Sequence, residues 1–160
     1  GMEKAEADIM KRKPREANEG VFSGGLGFDV AYQGILISAL VIISYGFGHM
    51  FETGTFGFGG SAHGTTMAFL TLSMAEIFHS FNLRSREKSL FSIKGMNKML
   101  NIAAIVSLAL TTAVCEIPVL ASAFDFTAVG PREYATAALL GFCVIPVVEI
   151  VKLIRRQKNK

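Results

Sequence analysis

No tryptophan occurs in this chain, and only 18% of its residues are charged. Any aromatic belt at a membrane surface therefore rests on its 13 phenylalanines and three tyrosines. Cysteine is scarce as well. Cys115 and Cys143 lie in apolar runs, outside any CxxC or spaced His/Cys set, and read as buried small hydrophobes that report nothing of the redox compartment. There is no G-x-x-x-x-G-K-[ST], no nucleophile elbow and no HExxH, and no polar stretch is long enough for a catalytic domain. If the chain serves an ATP-driven reaction, the nucleotide site is elsewhere. The opening stretch GMEKAEADIMKRKPREANEG has no apolar h-region, so it is not a signal peptide. Insertion into a membrane is expected to be driven by the later helices or by segments preceding Gly1.

What is present is apolar and gathered into runs. Hydrophobic residues make up 51% of the 160, with a mean hydropathy of +0.42. Four spans are expected, at about 28–50, 64–83, 98–119 and 134–154. Each is close to the ~20 residues that a helix needs to cross ~30 Å of hydrocarbon. Backbone groups in lipid pair within their own segment, so the expected fold class is an all-α membrane protein. Residues 1–27 form a polar arm, 28–154 a four-helix transmembrane domain and 155–160 a basic tail.

The basic residues give the orientation. Of 16 lysines and arginines, only Arg132 falls outside three groups. The N-terminal arm holds Lys4, Lys11, Arg12, Lys13 and Arg15; the middle connection holds Arg84, Arg86, Lys88, Lys94 and Lys98; the C-terminal segment holds Lys152, Arg155, Arg156, Lys158 and Lys160. The positive-inside rule then makes the bundle antiparallel with both termini cytoplasmic. The net charge of +3 is thus a topology signal with some attraction to anionic lipid, and nucleic acid is not a partner. The glycine-rich FETGTFGFGGSAH connection follows no strand and reads as a turn region on the opposite side.

Glu76 is the deepest ionisable residue, eight residues before Arg84. That places it about 12 Å from the cytoplasmic boundary at helical rise. Its stripe holds Leu72, Ser73, His79, Ser80 and Leu83, while Met67, Leu70, Met74, Ile77 and Phe81 form an apolar side for lipid or a packed neighbour. Three readings stay open: a ligand for a transported cation such as calcium, a proton carrier with a raised pKa, or hydrogen-bonding glue between helices. Other polar residues carry blander expectations. Glu149 and Lys152 read as an i,i+3 ion pair, and Glu116 as touching the non-cytoplasmic interface. Asn82, Asn101 and Gln33 read as interfacial, and His49, Glu52 and His63 match no tight metal spacing. The small residues Gly34, Ser38 and Ala39 on the first span offer close approach to partner helices.

The block TTMAFLTLSMAEIFHSFNLRSREKSLF, from Thr65 to Phe91, resembles the eighth transmembrane helix and following loop of P-type calcium-transporting ATPases. GMEKAEADIMKRKPREANEGVFS is similar to the segment after their sixth helix, and VIPVVEIVKLIRR to their tenth, so the likeness runs over the whole chain in the family's order. The resemblance implies spans seven to ten of a cation pump, cut from a longer frame; the lack of a signal peptide is compatible with a bacterial inner (plasma) membrane, the expected location. It implies that Glu76 supplies carboxylate oxygen to a calcium site, the one residue whose role carries over. It also implies partners in the bilayer, in the remaining transmembrane helices and in the cytoplasmic domains of the parent pump. Calcium would be the transported ion, with ATP and magnesium bound only in the parent. The D-K-T-G phosphorylation motif is absent from the chain. Two other classes fit the residues: a self-contained four-helix proton-coupled transporter using Glu76, and a non-transporting membrane scaffold.

Overall fold

The computed structural model describes residues 10, 20, 22–85, 88–92 and 97–158. The basic arm residues Lys4, Lys11, Arg12, Lys13 and Arg15, together with Arg86, Lys94 and Lys160, lie outside the described residues, and so does the side chain of Lys158. Every regular element among the described residues is helical. In chain order they are α1 (Leu26–Thr53), α2 (Ala62–Asn82), a 3-10 turn (Leu90–Ser92), α3 (Lys98–Glu116), α4 (Pro118–Ala123), α5 (Pro131–Phe142) and α6 (Val144–Lys158). Among the described residues three stretches are long and apolar enough to cross a membrane: Leu26–Thr53, Lys98–Glu116 and Pro131–Gln157. The second expected span, α2, falls short of that mark. It carries His63, Thr65, Thr66, Glu76, His79, Ser80 and Asn82 within 21 residues.

The helix ends follow from local chemistry. Gly54 closes α1 with φ 84°, and its N–H reaches the Met50 carbonyl at 2.8 Å. A left-handed residue in that place suits glycine, which has no Cβ to clash. Ser61 caps α2 by accepting from the Gly64 N–H at 2.8 Å, and Asn97 caps α3 by accepting from Leu100 N–H at 3.1 Å. Two of the expected spans break. The third stops at Glu116, because Pro118 has no N–H to continue the ladder and instead opens α4. The fourth begins earlier than expected, at Pro131, and is interrupted at Cys143. Pro146 explains that break: it has no N–H for the Phe142 carbonyl.

α2 is the centre, packed against α1, α3, α5 and α6. Met67, Leu70 and Met74 are fully buried in one cluster with Cys115, Val129 and Ala137. A second cluster joins Ile37, Ala75, Val144, Ile145 and Val148. The apolar side of α2 therefore meets neighbouring helices rather than lipid. Cys115 is fully buried as expected, and Cys143 is half-buried. Glycine sets the closest approaches. A Cβ on Gly48 would lie 2.6 Å from the Gly64 Cα, and one on Gly141 would lie 3.0 Å from the Met74 Cβ. A buried polar relay sits among these crossings: Thr71 Oγ1 donates to Ser44 Oγ at 2.6 Å, and Ser44 Oγ donates to the Met67 carbonyl at 3.1 Å. Such bonds tie helices together where the alternative partner is hydrocarbon.

Side-chain contacts show which helix ends lie together. At one end Arg155 of α6 grips Asp29 of α1 through two bonds of 2.5 and 3.1 Å, and Lys152 of α6 reaches the Asn82 carbonyl of α2 at 2.8 Å. At the other, His63 of α2 contacts Glu133 of α5, and Tyr45 of α1 donates to the Gly59 carbonyl at 2.7 Å. Phe47, Phe51, Phe56 and Phe58 cluster there edge to face and stacked, with Arg132 lying 4.9 Å from the Phe51 ring centre.

Candidate functional site

Glu76 sits on α2, the best-packed helix, yet its side chain is exposed. Leu72 and Leu83 on the same stripe are exposed, and Ser73 and Ser80 are half-buried. His79 departs from that pattern and is buried. Helical periodicity thus placed the stripe correctly but not the neighbour that covers its third member. The exposed carboxylate opens into a groove of about 310 Å³ between α2 and α3, whose wall also carries Ser80 and Ser107 among Ile77, Leu100, Ala103 and Ala104. Ser80 Oγ donates to the Ile77 carbonyl at 2.6 Å, so its hydroxyl is tied to the backbone of its own helix.

This arrangement inverts what lipid favours. The apolar face of α2 is buried and the face with the carboxylate is open, although an ionised carboxylate at the centre of a bare helix costs about 2.5–3.5 kcal/mol on translocon scales. Chemically the groove presents one anionic group and hydroxyl oxygens. A hard cation such as calcium takes six to eight oxygens. Among the described residues no group of three or more His, Cys, Asp and Glu side chains comes together.

The remaining sequence candidates separate cleanly. His49, Glu52 and His63 do not converge. His49 Nδ1 bonds the Thr55 carbonyl at 2.8 Å, and Glu52 accepts from Ser61 Oγ at 2.5 Å and from the His63 N–H at 3.3 Å. These contacts shape the glycine-rich connection. Glu149 and Lys152 form the expected i,i+3 pair at 3.4 Å. Lys152 does more than that, since it also bonds the carbonyls of Asn82 and Lys88. Glu116 is exposed at the end of α3, as its place before Pro118 implied. Asn82, the last residue of α2, is only 2% exposed, and its Nδ2 donates to the Val144 carbonyl at 3.3 Å. The Asp29–Arg155 pair was not anticipated, because nothing local in the sequence links residues 126 positions apart.

Residues 1–154 match the family described as "Cation transporting ATPase, C-terminus". The chain belongs to that family. Among the relatives of this cation-transporting ATPase region, the calcium-transporting ATPase 1 of Bacillus cereus is 35% identical over 98% of the chain and 19% of its own length. The calcium-transporting ATPase of Listeria monocytogenes is 32% identical over 98% of the chain and 17% of its own length. A plant relative, the endoplasmic reticulum-type calcium-transporting ATPase 3 of Arabidopsis thaliana, is 24% identical over 98% of the chain and 18% of its own length. The chain thus spans about a fifth of the curated relatives that it matches, and the likeness falls on their C-terminal part. The resemblance carried by Thr65 to Phe91 is therefore to the correct family.

Proposed function

We propose that this chain is the C-terminal membrane region of an ATP-driven calcium pump, and that Glu76 supplies carboxylate oxygen to the transported ion. The observation that carries the reading is the open Glu76 face of α2, the central helix whose opposite side is fully packed. In a bilayer an exposed carboxylate of this kind faces protein or water, not lipid. Four-fifths of each relative lies outside the matched region, so there is ample chain to cover the groove and complete the coordination shell. Nucleotide and magnesium chemistry belongs to that other part.

In this reading α1, α2, α3 with α4, and α5 with α6 make four passes, and both termini lie in the cytoplasm. The polar arm of residues 1–27 and the tail of residues 155–160 flank the membrane domain of 28–154. The distribution of lysine and arginine supports this orientation. The bacterial relatives favour the bacterial plasma membrane as its location. Most of the chain then acts as a rigid support for the transport helices, with Glu76 as its chemical contribution.

The test is the calcium dependence of ATP hydrolysis by the intact pump. Loss of a charge-assisted ligand is worth about 1.5–3 kcal/mol, so Glu76→Ala should raise the half-saturating calcium concentration roughly tenfold or more. Glu76→Gln retains an oxygen and should shift it less. Identical calcium curves for wild type and both variants would remove Glu76 from the ion's shell.

A further inference from the structure

We infer that the glycine-rich connection between α1 and α2 is a lipid anchor. Its residues 55–59 fold back against the last turns of α1, in the boundary between headgroups and acyl chains, with Phe56 and Phe58 against lipid. Several contacts carry the fold-back. The Phe56 ring fills the place beside Gly46, where a Cβ would come within 2.3 Å of it. Tyr45 donates to the Gly59 carbonyl at 2.7 Å, and His49 Nδ1, one turn further along α1, donates to the Thr55 carbonyl at 2.8 Å. Gly57 and Gly59 close over the His49 ring, where a Cβ would lie 3.2 and 3.1 Å from ring atoms. Gly46 stands seven residues before the end of α1 at Thr53. The chain therefore returns about 10 Å along the helix that it has just left.

The chemistry of this strap suits a layer poor in water. At an open surface water satisfies loop carbonyls, whereas near lipid the protein has to do so itself. Here two side chains of α1 donate to carbonyls of the connection. Residues 54–61 hold no charged group, while the connection between α2 and α3 holds Arg84, Arg86, Glu87, Lys88 and Lys94. Glu52, just before the strap, accepts from Ser61 Oγ and the His63 N–H. Phe56 and Phe58 meet edge to face with ring centres 5.6 Å apart, yet remain 52% and 63% exposed. Irregular backbone does not occur in lipid-exposed hydrocarbon, so the boundary, not the core, is the place for it.

Position along α1 gives the depth. Its 28 residues make about 42 Å at helical rise, close to the roughly 40–45 Å of a bilayer with its headgroup regions. The last turns of α1, and the strap along them, then fall in the boundary layer. Ile42 and Ile43, about one turn nearer the middle of α1 than Gly46, are 56% and 40% exposed. Three and four residues from Gly46, they share its face, so Phe56 continues an apolar surface that α1 already presents. The inference rests on the reading of α1 as a span and owes nothing to Glu76.

The protein that carries these residues, purified whole and with its other cysteines replaced, receives one nitroxide-labelled cysteine by Phe58→Cys, Ile42→Cys or Phe91→Cys. It is reconstituted in vesicles of phosphatidylethanolamine and phosphatidylglycerol. Collision of the label with oxygen, which concentrates in lipid, is compared with collision with a water-soluble nickel chelate. The label at position 58 is expected to favour oxygen and to sit about 10–17 Å from the bilayer centre, 5–10 Å below the outer edge of the headgroups. The label at 42 is expected deeper, and the label at 91, where Phe91 is 83% exposed, in water. Free access of nickel to position 58, with position 42 still in lipid, overturns the anchor and leaves α1 a span. Access of neither reagent to position 58 also overturns it, because another protein segment then covers the ring. Nickel at both 58 and 42 removes the span on which the inference rests.

Discussion

Lys152 directs its ammonium protons at the Asn82 carbonyl, the Lys88 carbonyl and the Glu149 carboxylate. Asn82 is the last residue of α2, where unpaired carbonyls and the helix dipole both favour a cation. Glu149 is held in turn by the Leu90 N–H at 3.0 Å. One lysine on α6 thereby fixes the end of α2 and the start of the connection that follows it. The ion pair was legible, because three residues on a helix are neighbours whatever the fold. The contact with Asn82 was not, since it spans 70 residues and depends on how α6 packs. Removing one partner of a buried pair leaves the other uncompensated, at a cost of about 3–5 kcal/mol. Lys152→Met should therefore lower the thermal unfolding midpoint in detergent sharply, and Lys152→Met with Glu149→Gln should recover part of the loss. Equal midpoints for the single and double variants would mean that the carboxylate is not left stranded.

At the scale of elements, the same sequence rules hold where a helix is judged by its own residues and fail where a neighbour decides. Three of the four expected spans were visible from hydrophobic runs, and the apolar side of α2 from helical spacing. The breaks at Ile117 and Cys143 come from Pro118 and Pro146, which a count of apolar length does not register. Close approach between helices was less legible. Gly34, Ser38 and Ala39 are exposed, and a Cβ on Gly34 would meet nothing within 4 Å. The tight crossing lies about four turns after Gly34, where a Cβ on Gly48 would come within 2.6 and 2.7 Å of Gly64 backbone atoms. Backbone cannot rotate away as a side chain can. Gly48→Ala should thus push α1 off α2 and cost about 1–3 kcal/mol, the range for overpacking. Gly34→Ala, in open space and in helical backbone, should be neutral or stabilising by up to about 1 kcal/mol. Parallel denaturation of the two variants checks both, and equal losses would mean that the crossing can relax.

For the whole molecule the question is which end of the bundle faces the cytoplasm. The contacts sort the connections into two sets. The Thr53 end of α1, the Ala62 end of α2 and the Pro131 end of α5 meet through Tyr45, His63, Glu133 and Arg132. The Leu26 end of α1, the Asn82 end of α2 and the Lys158 end of α6 meet through Asp29, Arg155 and Lys152. Among the described basic residues, contacts place Arg132 in the first set and Lys88, Lys152 and Arg155 in the second. For these residues sequence and packing agree, although one reads charge and the other contacts. In the orientation we propose, the second set lies in the cytoplasm, as the positive-inside rule favours. A single cysteine at Gly60 or at Phe91, introduced after Cys115 and Cys143 are replaced by alanine, reads this directly. Both positions are exposed and lie on opposite sets. In intact cells a membrane-impermeant maleimide should label Gly60→Cys, and Phe91→Cys should react only after permeabilisation. The reverse pattern would put Glu76 nearer the outer surface and make it a release-side group; labelling of both in intact cells would mean that the connection at 88–92 reaches the outer face and that α2 does not cross.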